Sequence, residues 1–230
     1  MPVAFESINT AVGNFPATSI TVTAPTGIVN DNLLIGAIFD NDATATLGLP
    51  AGWTNLFGGQ INHADGTPRM HMGFKLAASE SGDYAFTTTA MNEGVAFVAR
   101  VSGNALISPV EASGRTEQAA STANPLDFSC PAITTLTANT LILRIALSNW
   151  GSANGAGLVI QTAGYTERAD AGNDPSPNST NGIAFYTIDT LQEAIGDAGT
   201  AAVRTSVGGT KRGQGVTLAI AALLIVGGRG

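Results

Sequence analysis

The sequence predicts an all-β chain: an antiparallel β-sandwich, jelly-roll-like, built from two similar halves. Three observations predict it. The first is Asn32-Leu33-Leu34-Ile35-Gly36-Ala37-Ile38-Phe39, an apolar run bounded by the turn formers Asn30-Asp31 and Asp40-Asn41-Asp42. It is too short for a helix with caps and suits a strand buried on both faces. The second is that the run recurs about 108 residues later as Thr140-Leu141-Ile142-Leu143-Arg144-Ile145-Ala146-Leu147, flanked by Asn139 and Asn149. Ala51-Gly52-Trp53-Thr54 is likewise answered by Ala163-Gly164-Tyr165-Thr166, and Met70-His71-Met72-Gly73-Phe74 by Gly182-Ile183-Ala184-Phe185-Tyr186. A repeat of this length reads as a duplicated sheet unit, not a solenoid period. The third is that nowhere does apolar spacing sustain a helical stripe.

The elements follow in order. Residues 1–17 read as an arm or an edge strand. Ser19-Ile20-Thr21-Val22-Thr23 alternates as a half-buried strand should, and Ala24-Pro25-Thr26-Gly27 turns the chain into the apolar run. A strand begins at Trp53. In the next, Met70, Met72, Phe74 and Leu76 share one face, with His71, Gly73 and Lys75 on the other. Tyr84 to Thr89 and Val95 to Val101 complete the first half. Residues 102–131, with Pro109, Pro125 and Pro131 and little periodicity, read as a surface crossover with at most one short strand. The second half opens with Ile133 to Thr137. Asp170 to Asn181 reads as a turn-rich loop, Leu191 to Ile195 as one helical turn, Gly208 to Gly215 as a glycine-rich approach, and Val216 to Val226 as the closing strand. The expected organisation is one sandwich domain over 1–230, with halves 18–101 and 132–226.

Composition narrows the partners. The net charge is −7 and the lysines and arginines are scattered, so the basic footprint of a nucleic-acid binder is missing. Charged residues make up 12% of the chain, about half the usual share, which points to extensive subunit contact or to a Thr/Ser/Asn-rich surface. The lone cysteine, Cys130, reads as a small buried hydrophobe. Met1 to Glu6 has no signal-peptide character, and the longest apolar run falls short of a bilayer span, so the expectation is a cytoplasmically made protein with no membrane partner.

Candidate chemistry is sparse. His63 and His71, with Asp65 nearby, are the ligand types zinc takes, against a reading as a loop histidine and a sheet-surface histidine that never meet. Asp40-Asn41-Asp42 and Asp170-Ala171-Gly172-Asn173-Asp174 offer oxygens to calcium, and are also ordinary turn chemistry. No Gly-x-Ser-x-Gly elbow is present. The acidic residues Glu6, Glu80, Glu93, Glu111 and Glu117 are expected in loops or at strand ends, away from a cleft where paired carboxylates hydrolyse glycosides. Lys211 lies in a Gly-rich stretch that lacks the ending of a phosphate loop and precedes a strand. Trp53, Trp150 and Tyr165 are candidates for stacking on sugars or for packing. The expectation is a non-enzyme with no catalytic, cofactor or metal residues.

Asp31-Asn32-Leu33-Leu34-Ile35-Gly36-Ala37-Ile38, Pro50-Ala51-Gly52-Trp53-Thr54, Met72 to Ala77 and Val95 to Val101, with their echoes at Ala138 to Leu143 and Ala163 to Thr166, resemble a jelly-roll module of tailed-bacteriophage virion proteins. The resemblance covers most of residues 18–226. It implies a structural virion protein: a capsid decoration (cement) protein contacting the major capsid protein or, alternatively, a tail-fibre or receptor-binding module recognising host-surface glycan. It carries no catalytic residues. A homo-oligomer, a trimer, is expected from the low charge and from the uncharged strands Ile133–Thr137 and Thr217–Val226, which need covering if they lie at sheet edges. Capsid three-fold points match a trimer, as the resemblance implies.

Overall fold

The computed structural model describes residues 3–14, 16–123, 125–150, 158–160, 163–173, 182–205 and 210–223. These residues form strands and no helix. The first half holds β1 (Ala4–Asn14), β2 (Ser19–Val22), β3 (Leu33–Asp40), β4 (Leu47–Gly48), β5 (Thr54–Asn55), β6 (Ile61–Asn62), β7 (Arg69–Leu76), β8 (Tyr84–Thr88) and β9 (Glu93–Ser102). The second holds β10 (Val110–Ser121), β11 (Leu126–Cys130), β12 (Thr134–Thr135), β13 (Thr140–Trp150), β14 (Leu158–Ile160), β15 (Thr166–Asn173), β16 (Gly182–Gln192), β17 (Gly196–Asp197), β18 (Ala201–Thr205) and β19 (Lys211–Ile220).

Each half is an antiparallel sandwich of a large and a small sheet. The large sheets run β1-β9-β3-β7-β5, with β6 also on β7, and β10-β19-β13-β16-β15. The small sheets run β2-β8-β4 and β11-β18-β14, and β12 pairs with β17. The two orders correspond strand for strand. Registers correspond too: Leu33 faces Leu76 and Val101, as Leu141 faces Leu191 and Ile220.

Alternation sorts the side chains. From β3, Leu33, Ile35, Ala37 and Phe39 join Met70, Met72 and Phe97 in one core, while Leu34 and Ile38 turn to the small sheet with Ile20, Val22, Tyr84 and Phe86. The first of these cores is shared. It continues through Leu141, Leu143, Ile145, Leu147, Val216, Leu218 and Ile220 of the second half, so the large sheets pack face to face. The predicted faces of β7 are as expected, with Met70, Met72, Phe74 and Leu76 on this core.

Several expectations change. The segment 102–131 is not a loose crossover. It holds β10 and β11, which pair with β19 and β18 and occupy the places of β1 and β2 in the first half. The repeated unit therefore begins at β1 and β10, earlier than residues 18 and 132. Leu191 and Gln192 extend β16, in place of a helical turn. Lys211 to Gly215 is strand, not approach: a Cβ on Gly213 would strike the Phe128 ring, and one on Gly215 would come within 2.2 Å of the Ser129 carbonyl oxygen. Those glycines let β11 lie close over β19. Asp170 to Asn173 belong to β15, and 174–181 fall outside the described residues, as do 208–209 and 224–226. The uncharged stretch Thr217–Ile220 lies centrally, between β10 and β13, so it makes no edge; Thr134–Thr135 pair only with β17.

Asn41 and Asn149, equivalent residues 108 apart, meet at the junction of the halves: Asn149 Nδ2 donates to Asn41 Oδ1 at 2.9 Å. Asn149 also donates to Thr67 Oγ1 and accepts from the Arg212 amide. Both side chains are buried, and a buried amide that loses its partner is expensive. Asn149→Ala should therefore destabilise the protein by about 2 kcal/mol and Asn41→Ala by less. A double-mutant cycle by denaturant unfolding should give a coupling of about 1 kcal/mol. Strict additivity would show that this contact does not join the halves.

Candidate functional site

Most of the predicted polar candidates among the described residues are engaged by their own chain, many of them at the edges and ends of the large sheets. His63 follows β6. Its Nδ1 accepts the Asp65 amide at 3.1 Å, so the proton sits on Nε2, which donates to the Gln118 carbonyl at 3.0 Å. Both ring nitrogens are spent. Asp65 accepts the Ala120 amide and pairs with Arg212 at 3.5 Å; the Ala120 hydrogen bond holds its carboxyl below the usual range, helped by Arg212. The 63–66 turn is thus a cover on the outer edge of β10, where an open ladder would recruit other chains. His71 points from the other face of β7, to the Leu47 carbonyl at 2.7 Å and the Asn55 side chain at 2.9 Å. Among the described residues no three His, Cys, Asp or Glu side chains come together in a way that would hold a metal.

The Asp40-Asn41-Asp42 stretch is likewise consumed. Asp42 Oδ1 accepts the amide and hydroxyl of Thr44, and the hydroxyl bond is the main cause of its lowered pKa. Asp40 is fully buried at the end of β3. Its Oδ1 accepts the Asp42 and Asn92 amides, but Oδ2 has no partner. Its cross-strand neighbour Arg69 turns away, to the Ala45 carbonyl. Burial, with smaller contributions from Asp42 and Glu93, pushes Asp40 up to about 7. In the other calcium candidate, Asp170 is raised by burial and by Glu167, and Asp174 lies outside the described residues.

The acidic residues are not confined to loops. Glu6 lies within β1 and holds Ser102 and Arg100; Glu117 lies within β10 and holds Arg115 and the Ala64 amide. Glu111 is a staple that accepts the Leu136 and Thr137 amides and the hydroxyls of Thr137 and Thr140. Glu80 binds Lys75 and Tyr84. Trp53 packs edge-on against Tyr84 and Phe86, and Tyr165 carries the Arg144 guanidinium 5.1 Å above its ring, so both act in packing. The Trp150 side chain lies outside the described residues. Lys211 is buried and donates to the Ala123 carbonyl; desolvation lowers its pKa. Cys130 is buried, and burial pushes its thiol up to about 12.

The surface feature that sequence reading passed over is at the opposite end of the sheets from Asp40. There the β9–β10 and β12–β13 connections and the residues after β19 line an open cavity of about 490 Å³ formed by Leu106, Ile107, Leu136, Ala222 and Leu223, among others. A second, of about 350 Å³, adjoins it through Leu106 and Leu223 and reaches Val29. The apolar pair Leu106-Ile107 in a proline-punctuated connection was the available signal. Comparison with protein-family models, curated proteins and solved structures finds no match to this chain.

The Asp40 carboxyl has a folded pKa raised from 3.8 to about 7. Its contribution to stability is therefore fully present below about pH 3.8 and is lost as pH rises to about 7, because only the folded chain keeps the proton in that window. Asp40→Asn should remove this slope and stabilise the protein at about pH 8 by up to about 4 kcal/mol, with little change at acid pH. Parallel pH profiles for variant and wild type would contradict the assignment.

Proposed function

We propose that the chain is a structural virion protein of a tailed bacteriophage, a capsid decoration protein that self-associates, as a trimer, and contacts the major capsid protein. The observation that carries this reading is the apolar end of the molecule, where Leu106, Ile107 and Leu136 stand exposed around the cavity. Concentrated exposed apolar surface suits association with protein. The resemblance of Asp31 to Ile38 and Pro50 to Thr54 to virion modules supports it. So does the strand order: each half pairs its first, last and third long strands in one sheet and carries the second in the other, the arrangement expected of a jelly roll. Such a protein works by burying area across capsomer seams, at roughly 25 cal/mol per Å² of apolar surface before association costs.

The alternative is a tail-fibre or receptor-binding module for host glycan. It needs aromatic faces free to stack on sugars, and of the stacking candidates whose side chains are described, Trp53 and Tyr165 are both engaged within the fold, which favours the first reading.

Copy number per particle discriminates. A decoration protein is present in many copies on heads that lack tails, and heads without it lose resistance to heat. A few copies, confined to tails, with binding of the purified protein to host cells, would overturn the reading in favour of the alternative.

A further inference from the structure

The end of the molecule opposite Asp40 is the place where the chain leaves its large aliphatic side chains uncovered. Of seven exposed large hydrophobics among the described residues, six lie there: Val29, Leu106, Ile107, Leu136, Leu191 and Ile195. The registers fix their position. Asn104 bridges Ala222 beside the start of β3, Thr135 pairs with Gly196 next to Ile195, and Leu191 pairs with Leu141 at the start of β13. Ile107 is 86% exposed and stands at the rim of the cavity of about 490 Å³, whose floor is Ala221 and Ala222.

We propose that this end is the surface through which copies of this chain associate, each placing Ile107 in the cavity of its neighbour. Three features of the face select a second copy as the occupant. It carries both a projecting aliphatic side chain and an apolar hollow, so it is complementary to itself. Its larger cavity is also poor in charge, and the carboxylates Asp31 and Glu193 at this end of the molecule lie outside that lining. The chain carries −7 overall, so two copies repel except where charge is absent or neutralised. The one charged residue lining the larger cavity is Glu111, whose carboxylate is spent on Leu136, Thr137 and Thr140. Finally, six of the seven exposed large hydrophobics among the described residues are gathered at this one end, so a second copy would meet an apolar patch and not scattered side chains. Two polar side chains of the rim are satisfied internally: Asn32 Oδ1 accepts the Val29 amide, and Asn104 accepts the Leu33 amide and donates to the Ala105 carbonyl.

This inference rests on the self-association contained in the proposed function, and the two fail separately. The test is light scattering on the purified full chain at micromolar concentration, for wild type, Ile107→Asp, Leu136→Asp and Val12→Asp. Val12 is 53% exposed on β1, away from this end, and serves as the control. The expected result is an oligomer for wild type and Val12→Asp, and loss of the oligomer to the 23.2 kDa single chain for the other two, with unfolding midpoints of the dissociated variants matched to dilute wild type. An oligomer untouched by Ile107→Asp and Leu136→Asp overturns the surface and leaves self-association standing. A wild type that stays monomeric overturns both, whether the face is then bare, taken by a different protein or covered by the chain's own terminal residues.

Discussion

The shared apolar core between the two large sheets is the constraint on which the rest of the structure depends. β3 and β13 each bury side chains on both faces, and one face of each is spent on the other half. A half taken alone would expose Leu33, Ile35, Ala37, Phe39, Val95 and Phe97 to water, a large penalty against a folding free energy of roughly 5–15 kcal/mol. The sides of this core are closed by contacts that cross between halves. On one side the Arg168 guanidinium lies 4.9 Å above the Phe5 ring, and on the other the 63–66 turn binds the edge of β10. Asn41 and Asn149 close the end.

Duplication did not copy the outer cores. Gly36 in β3 corresponds by register to Arg144 in β13. A Cβ at Gly36 would come within 2.9 Å of Trp53 and Phe86, so that position admits only glycine. In the second half the places of Tyr84 and Phe86 are taken by Ala201 and Val203, and that of Trp53 by Tyr165. The vacated volume holds the Arg144 side chain, which donates to the Ala198 and Gly199 carbonyls and stacks on Tyr165. Where one half has two large rings the other thus has one arginine, a difference in a whole partner set and not in a single residue. The same asymmetry reaches the surface. One end of the sheets is a polar junction, and the other is the apolar face around Leu106, Ile107 and Leu136.

Much of the fold was legible in the sequence where burial is two-sided or strictly alternating. β3, β9 and β13 read as continuous apolar runs, and β2, β7 and β8 as clean alternation. β10 did not, because it is an edge strand with neither face fully buried. Its Ser113, Gly114, Arg115 and Glu117 carry no two-residue apolar signal. The prolines 109, 125 and 131 that suggested a loose segment sit between strands. Gly213 and Gly215 hid the first half of β19, since close sheet approach and a flexible loop call for the same residue. The candidate site was less legible still. His63 and Asp65 are near in sequence and do touch, but their role is to cover a strand edge formed 55 residues away. The apolar face depends on which side chains the fold leaves uncovered, and Leu106, Ile107 and Leu136 look the same in sequence whether buried or not.

Native-state hydrogen exchange on the amides of β3 and β13 tests most directly whether the shared core binds the halves into one unit. The slowest amides of Ile35 to Ile38 and of Leu143 to Ala146 should exchange with the same opening free energy, and both should lose protection together as denaturant is raised. Complete exchange of β13 while β3 stays protected would show two independently folding halves and no binding role for the shared core.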